Sequence, residues 1–338
     1  MKFPKMITFE VTQRCNCRCE MCRFWSEDSS CADSSELSLA DIKTAVLKLS
    51  NAYKKNNQEL FLGITGGEAF LRNDIIDFLK FLNDKSIDYD VITNFSIPNL
   101  KQVKEFANCN PSRLNVSLDG VGDTHNLVRG KNIFDKVFEN MKYFQELRPE
   151  IPIKINSTIN KRSLNELEEM LYFAMKNKFE LNFQHLNFVT PELLLKQKKF
   201  EKKVFGHSFF HEPTFYNLTK DEVSVLEDKV DEIRKIASEN NYHVTFFPEL
   251  NKNLRNWYLN PSSPITHDKC DPNRLRVKPN GELVHCERFS YGNLLGSNNF
   301  LNMINSVKAK KFKKTIKNNN MPFCYRCCLR FRSFVDEK

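Results

Sequence analysis

Four cysteines lie within eight residues near the start of the chain, and three of them have the spacing C-x3-C-x2-C. These three are Cys15, Cys19 and Cys22, whereas Cys17 falls outside the pattern. Three thiolates leave one iron of a [4Fe–4S] cube without a protein ligand. An open metal position can bind a small molecule and act on it. The spacing therefore predicts an iron–sulfur cluster with one open site, and a zinc knuckle or a set of buried thiols is the alternative.

A second group of cysteines lies near the C-terminus. Cys270 is followed by Gly281 and Cys286, and the run Cys324-Tyr-Arg-Cys327 comes later. Four thiolates can hold a second [4Fe–4S] cluster. A tetrahedral zinc ion fits the same four ligands equally well, so both interpretations stay open.

The segment between the two cysteine groups predicts an α/β fold. From residue 5 to about 186, short apolar runs alternate with amphipathic stretches. This alternation indicates a parallel sheet with right-handed crossovers, and six units make a partial (β/α)6 TIM-like barrel. The predicted helices cover residues 38–55, 72–84, 98–107, 132–147 and 163–178, and a longer one covers 219–240. The predicted strands are Met6–Val11, Leu60–Thr65, Tyr89–Thr93, Arg113–Leu118, Ile153–Thr158 and Leu181–Leu186.

The unusual residues follow the predicted strands. The cysteine run comes after the first strand and Gly66-Gly67-Glu68 after the second. Asn94, Asp119-Gly120 and Asn156 mark the ends of the next three. The C-terminal ends of barrel strands form the face where active sites assemble. We therefore expect these residues to lie around one site.

Three of these motifs resemble those of the radical S-adenosylmethionine (radical SAM) superfamily. The cysteine spacing matches, and Gly66-Gly67-Glu68 resembles the GGEP segment one β/α unit later, with Ala69 in place of the usual proline. Met21 stands where an aromatic residue is usual. The stretch from Ser117 to Arg129 resembles one found in members that modify peptides and sugars.

The C-terminal pattern C-x10-G-x4-C…C-x2-C resembles the twitch domain, a shorter relative of the SPASM domain. A β-hairpin formed by Leu275–Val277 and Leu283–Val284 is expected to carry part of its ligand set. The resemblance divides the chain into a radical SAM core (1–190), a connecting helical region (191–265) and a twitch/SPASM-like domain (266–338).

The resemblance implies the cofactors and the residues that bind them. Cys15, Cys19 and Cys22 would hold a [4Fe–4S] cluster whose open iron binds SAM. Cys270, Cys286, Cys324 and Cys327 would hold an auxiliary [4Fe–4S] cluster. Contacts to SAM are expected from Met21, Gly66, Gly67, Glu68, Asn94, Ser117, Arg129 and Asn156.

The resemblance also implies the reaction. Reductive cleavage of SAM would give a 5′-deoxyadenosyl radical, which abstracts a hydrogen atom from the substrate. With the auxiliary cluster as electron acceptor, the expected outcome is oxidation of an alcohol or sugar. A peptide-modifying maturase is the alternative, and a zinc- or cluster-stabilised nucleic-acid-binding module is an alternative from another class. No residue stands out as the catalytic base. The expected partners are a small-molecule or peptide substrate and an electron donor such as flavodoxin or ferredoxin.

Composition and charge argue against three classes of protein: nucleic-acid-binding, membrane-spanning and secreted. The chain has 338 residues, is 41% hydrophobic and carries a net charge of +9. The densest basic run, Lys308 to Lys314, alternates with apolar residues at helical spacing, so we expect a solvated helix face and no nucleic-acid partner. The sequence contains no run of eighteen apolar residues, which is about the length that a membrane-spanning helix needs, so we expect no membrane span. Eleven cysteines without a secretory leader favour metal ligation and the reducing cytoplasm.

Overall fold

The computed structural model describes residues 3–22, 36–186, 188–206, 218–263, 275–285, 289–296, 299–317 and 321–326. Ten strands form one sheet in the order β10-β9-β8-β1-β2-β3-β4-β5-β6-β7. The strands are β1 (Met6–Glu10), β2 (Phe61–Thr65), β3 (Asp88–Thr93), β4 (Arg113–Ser117), β5 (Ile153–Thr158), β6 (Glu180–Gln184), β7 (Val244–Phe247), β8 (Leu275–Val277), β9 (Glu282–His285) and β10 (Phe289–Asn293).

Helices connect the strands β1 to β7, which pair in parallel in sequence order. The helices are α1 (Leu39–Lys55), α2 (Ile75–Asp84), α3 (Leu100–Ala107), α4 (Asp123–Arg129), α5 (Phe134–Leu147), α6 (Leu167–Asn177), α7 (Pro191–Phe205), α8 (Lys220–Glu239), α9 (Leu254–Leu259), α10 (Phe300–Ile304) and α11 (Val307–Lys317). The predicted partial barrel is confirmed, and the six predicted strands agree with the observed ones to within two residues at each end.

Two elements of the barrel were not predicted. Strand β7 extends the parallel sheet beyond β6, with Asn182 opposite Thr245, inside the stretch expected to be a helical connection. Helix α4 has only seven residues and lies directly after β4. Its last turn carries Arg129, so this short helix has a direct bearing on the site.

The two faces of the parallel sheet differ in polarity. Side chains such as Leu114, Ile155 and Phe183 point to one face and are fully buried there. Their neighbours along the strands, such as Asn115 and Asn182, are polar. Parallel strands covered on both faces read as continuous apolar runs. The alternation in β4, β5 and β6 therefore indicates that helices pack on one face of these strands and that their other face, inside the barrel, is polar.

The C-terminal hairpin belongs to the same sheet. Strand β8 pairs in parallel with β1, with Ile7 opposite Leu275, and β9 returns antiparallel to β8. The predicted hairpin is thus confirmed, and its turn uses Gly281 at a φ of +81°, a left-handed conformation that favours glycine.

Helix α11 carries the basic run of lysines. Its Ala309, Phe312 and Ile316 are buried, and the lysines on its other side are mostly exposed, as the helical spacing predicts. Within the described residues, no helix combines the length and the apolar character that a membrane span requires.

Candidate SAM and iron–sulfur site

The cysteine run forms a loop at the C-terminal end of β1. Val11 N donates to Thr65 O (2.8 Å), so the chain leaves β1 still paired with β2. In this loop Cys15 and Cys22 are partly exposed, whereas Cys17 and Cys19 are buried. Cys22 N donates to Cys19 O (3.0 Å), which turns the chain tightly between the last two cysteines of the motif.

The surroundings of the thiols separate the motif cysteines from Cys17. Hydrogen bonding from Cys17, followed by the positive charge of Arg129 and opposed by burial, lowers the pKa of Cys19 to about 6. Hydrogen bonding with Cys17 also lowers the pKa of Cys15. The same bonds raise the pKa of Cys17 above its ordinary value. Metals bind thiolates, so these shifts favour the ligand form of Cys15 and Cys19, whereas the hydrogen bonds of Cys17 favour its protonated form.

No three histidine, cysteine, aspartate or glutamate side chains surround a common metal position in the described part of the chain. The fit of an iron–sulfur cluster therefore depends on the donors. Three soft sulfur ligands on one short loop, two of them with lowered pKa values, suit iron–sulfur chemistry. We conclude that the loop fits the group that the motif predicts.

Gly66 and Gly67 pack directly against this loop. A Cβ atom on Gly67 would lie 2.4 Å from Arg14 O, and one on Gly66 would lie 2.5 Å from Thr12 O. Gly67 N donates to Thr12 O (2.9 Å), and Glu68 N donates to Arg14 O (2.8 Å). Only glycine permits this close approach of two backbones, so the pair fixes the path of the loop that bears the cysteines.

Glu68 is buried beneath the glycine turn. Its Oε1 accepts from Thr93 Oγ1 (2.6 Å) and Phe70 N (3.1 Å), and its Oε2 accepts from Asn94 N (2.7 Å). Burial raises the pKa of this carboxyl against the opposing effect of the three bonds. A carboxylate has roughly four acceptor positions, so Glu68 joins β2 to β3 and keeps about one position for a further donor.

Asn94 supports the cysteine loop from the end of β3. Its Nδ2 donates to Asn16 Oδ1 (2.8 Å) and Cys17 Sγ (3.3 Å). Its Oδ1 accepts from Ser96 N (2.9 Å), and Asn16 Nδ2 returns a bond to Ser96 Oγ (2.9 Å). The structure thus brings Asn94 to the predicted site, with its amide bonded to protein groups.

Arg129 reaches the loop from the end of α4. Its Nη1 lies 3.6 Å from Cys19 Sγ, and its Nη2 lies 2.6 Å from Asp119 Oδ2. Asp119 is fully buried, and its Oδ1 accepts from Thr158 N (2.7 Å). The backbone N of Asp119 donates to Nδ1 of the buried His125 (3.2 Å). Burial lowers the pKa of this histidine well below its ordinary value, so the ring is neutral and acts as an acceptor here.

Ser117 and Asn156 lie side by side on the inner face, because β4 and β5 pair at this position. Both side chains are half-buried. Asn156 Oδ1 accepts from Asn182 Nδ2 (3.1 Å), so its own NH2 group is turned to the other side. Asn182 Oδ1 in turn accepts from Thr245 Oγ1 (2.8 Å), which makes a polar ladder across three strands.

Of the remaining predicted site residues, Met21 and Cys324 lie within the described part of the chain and three cysteines lie outside it. Met21 is half-buried against the core next to the cysteines. Of the four predicted C-terminal ligands, Cys324 is partly exposed beside the buried Phe323, whose N donates to Gln197 Oε1 (3.1 Å). Cys270, Cys286 and Cys327 lie outside the described residues.

Several residues of the site were not predicted as site residues. Asn16 and Thr93 hold Asn94 and Glu68 in place, and Asn182 orients Asn156. Asp119 was expected near the site, but its ion pair with Arg129 was not. The alternation of polar and apolar residues along β6 was a signal for Asn182. The bonds of Asn16 and Thr93 cannot be read from spacing.

Comparison with known proteins agrees with this geometry. Residues 9–174 match the radical SAM superfamily. The chain is 25% identical over 190 residues to the AdoMet-dependent heme synthase of Methanosarcina barkeri, covering 56% of this chain and 51% of that protein. It is also 25% identical over 292 residues to GTP 3′,8-cyclase of Campylobacter jejuni, covering 84% and 80%. The chain thus spans about half the length of the first relative.

A solved structure shows a similar fold over almost the whole chain. Streptococcus suis SuiB bound to precursor peptide SuiA superposes with a TM-score of 0.64 at 14% identity, covering 97% of this chain and 71% of that one. Members of the matched superfamily use a [4Fe–4S] cluster and SAM, and the three motif cysteines of the loop after β1 fit such a cluster. The chain therefore contains a radical SAM domain, which spans residues 9–174.

Proposed function

We propose that this protein oxidises a small hydroxyl-bearing substrate, such as a sugar or polyol, by radical chemistry. When bound at Cys15, Cys19 and Cys22, the cluster and SAM would supply the group that removes a hydrogen atom from carbon. The chain's own residues would hold the cofactors, orient the substrate and keep water away from the reacting atoms.

The observation that carries this proposal is the polar inner face of the barrel. The amides of Asn182 and Asn156 and the hydroxyl of Thr245 form one hydrogen-bonded ladder. On the neighbouring strands, Asn115 Nδ2 donates to Asp90 Oδ2 (3.1 Å). A wall of fixed donors and acceptors recognises a substrate that can replace the hydrogen bonds it made in water. Hydroxyl groups meet that requirement, whereas an apolar substrate would displace water from this polar wall without replacing the hydrogen bonds of that water.

The ladder also orients the group that would contact the substrate. Because Asn182 occupies the carbonyl oxygen of Asn156, the Asn156 amide presents NH2 donors. The half-buried Ser117 hydroxyl lies beside it at the C-terminal end of β4. Both residues lie near the C-terminal ends of their strands, the end at which the cysteine loop leaves β1, so we expect them to contact SAM, the substrate or both.

The auxiliary cluster is the second part of the proposal. Removal of a hydrogen atom from an alcohol carbon leaves a substrate radical that must lose one more electron and one proton. Four thiolates from Cys270, Cys286, Cys324 and Cys327 would hold a cluster able to accept that electron. The C-terminal hairpin is joined to β1, which supports a position close to the barrel.

The experiment uses the anaerobically reconstituted full-length protein with SAM, a strong reductant and a panel of polyols, amino sugars and nucleosides. We expect one of the hydroxylated compounds to raise 5′-deoxyadenosine formation and to lose two hydrogens. The same compound deuterated at carbon should transfer deuterium into 5′-deoxyadenosine. The Asn156→Leu variant should lose substrate stimulation, and Asn302→Leu, which changes an exposed residue of α10, should retain it.

Modification of a peptide is the second candidate. It is favoured by the fold shared with SuiB, one structure of which is bound to precursor peptide SuiA. Stimulation by a peptide alone would support it against the sugar proposal. GTP is added to the panel of test compounds because one relative is named a GTP 3′,8-cyclase. A product with the same mass as its substrate would show that the net reaction is not an oxidation.

A further inference from the structure

One contact of the cysteine loop joins a cation to a motif sulfur. The guanidinium of Arg129 places Nη1 3.6 Å from Cys19 Sγ, within the distance of an N–H···S hydrogen bond. The arginine side chain is only 12% exposed, so water screens its charge weakly.

The arginine is held in this place from two directions. Its backbone O accepts from Arg18 N (2.9 Å), and Val128 O accepts from Glu20 N (3.2 Å), so the end of α4 is bonded to the cysteine loop itself. The next residue, Gly130, ends the helix at a φ of +64°, and a Cβ there would lie 2.7 Å from Arg18 O.

Asp119 fixes the other end of the guanidinium. Its carboxylate is 2.6 Å from Arg129 Nη2 and has no exposed surface. It is itself fixed, because Thr158 N donates to its other oxygen. The pair forms a rigid chain from β5 through Asp119 and Arg129 to the sulfur of Cys19.

This arrangement has a defined effect on electron affinity. Reduction of an iron–sulfur cluster adds negative charge that is shared by its sulfur atoms. The potential of such clusters depends on net charge, on hydrogen bonds to sulfur and on solvent exposure. A buried cation that donates to a ligand sulfur stabilises the reduced state more than the oxidised state. The negative charge of Asp119 opposes part of this effect.

We propose that Arg129 is a positioning residue that raises the reduction potential of the N-terminal cluster through Cys19, and that Asp119 limits the increase. The inference rests on the proposed cluster at Cys15, Cys19 and Cys22. It differs from a contact of Arg129 with SAM, because it acts on the cluster before SAM binds.

The test is the midpoint potential of the reduced cluster in the reconstituted full-length protein, followed by electron paramagnetic resonance without SAM. The signal of the open-site cluster is identified by its change in a parallel sample with SAM. In Arg129→Gln the ratio of reduced to oxidised cluster at a fixed potential should fall about tenfold, which is about 59 mV for one electron. Asp119→Asn keeps an oxygen for Thr158 N and should shift the potential the opposite way.

Two further variants complete the test. Arg162→Gln is the matched control, because Arg162 also bonds to the loop, through Glu20 (2.9 Å), but is 49% exposed. It should leave the potential unchanged. Arg129→Lys keeps the charge without the forked geometry and should have a potential below that of the wild type, by less than tenfold in the same ratio. This comparison with the wild type holds even if Arg129→Gln folds poorly.

Equal SAM-free potentials in the wild type, Arg129→Lys and Asp119→Asn would overturn the inference, as would an equal shift in Arg162→Gln. Iron and sulfide contents show whether each variant is loaded. A wild-type protein that takes up no N-terminal cluster would contradict the proposed function instead, so the two failures are distinguishable.

Discussion

Glu10 and Arg276 form an ion pair of 2.7 Å between Glu10 Oε1 and Arg276 Nη1, which links the first barrel strand to the C-terminal hairpin. The carboxylate side chain is 5% exposed, whereas the guanidinium is 28% exposed. Removal of Arg276 would therefore leave a buried charge, whereas removal of Glu10 would leave a charge that reaches solvent.

We expect Arg276→Gln to destabilise the protein more than Glu10→Gln does. The first change leaves a buried carboxylate without its cation, which costs about 3 kcal/mol. The second leaves an arginine that reaches solvent, and it costs about 1 kcal/mol. Urea unfolding of both variants gives the comparison. Equal losses would show that Glu10 is paired through other groups.

Single substitutions of the four loop cysteines should separate ligands from the fourth thiol. Cys15→Ala, Cys19→Ala and Cys22→Ala should each lose the iron of the N-terminal cluster. Cys17→Ala should keep it, because hydrogen bonding with its neighbours raises the pKa of Cys17 and holds it as a thiol. The measurement is iron and acid-labile sulfide per chain. Loss of iron in Cys17→Ala alone would reverse the assignment.

The C-terminal cysteines are tested in the triple variant Cys15/Cys19/Cys22→Ala. We expect about four irons per chain to remain, the content of one [4Fe–4S] cube. Zinc in place of iron would make the C-terminal site a structural one and would remove the proposed electron acceptor. Cys324→Ala added to the triple variant should abolish the remaining metal in either case.

The glycine turn predicts a strong local effect. In Gly67→Ala the new Cβ would meet the carbonyl oxygens of Arg14 and Gln13 at 2.4 and 2.5 Å, and neither backbone can move freely. We expect a loss of about 2–3 kcal/mol in the free energy of unfolding, together with reduced iron uptake. Gly63→Ala is the control on the preceding strand, since its Cβ would meet the flexible Met6 Sδ at 3.2 Å. Similar stabilities of the two variants would contradict the close approach.

A pH dependence of stability follows from His185. Burial, with a smaller effect of Arg234, lowers the pKa of this histidine to about 3, and its Nδ1 lies 2.9 Å from Tyr258 Oη. The unfolded chain binds a proton at this residue near pH 6.5, whereas the native state does not. The contribution of the neutral His185 to the free energy of unfolding is therefore complete above about pH 6.5. It is lost at up to about 1.4 kcal/mol per pH unit as the pH falls toward 3.

His185→Gln should remove this dependence. The variant should be less stable than the wild type at pH 7, and the gap should narrow between pH 6 and pH 4. Thermal or urea unfolding across that range measures it, and His243→Gln, at an exposed position, is the control. A gap that stays constant with pH would show that His185 is not the group responsible.

The sequence predicted those features that depend on residue type and spacing alone. The alternation of Leu114 and Val116 with polar neighbours predicted β4, and the three motif cysteines predicted a metal-binding loop. By contrast, the role of Glu68 depends on Thr93 and Asn94, which take up most of its acceptor positions. Such bonds depend on side-chain directions in the folded state, and no spacing reveals them.

Non-local pairing limited the prediction in the same way. Strand β7 has only four residues, too few for an alternating pattern to be recognised. Its partner strand β6, with Leu181 opposite Val244, lies more than 60 residues earlier in the chain. The hairpin of β8 and β9 was predicted from the resemblance of the C-terminal cysteine pattern to the twitch domain. Its attachment to β1 was not, because the local pattern of a strand does not name the strand it will join.

The place of β8 beside β1 has a consequence for the order in which the protein is made. Glu10 and Arg276 are 266 residues apart, so the ribosome releases the first strand of the sheet long before its outer neighbour exists. Until then the edge of β1 that carries Ile7 and Phe9 has backbone groups without their final partners. Nascent chains with open strand edges are prone to association with one another. Truncation before residue 275 should therefore yield a chain that aggregates during synthesis, even though the whole parallel part of the barrel from β1 to β7 is already present.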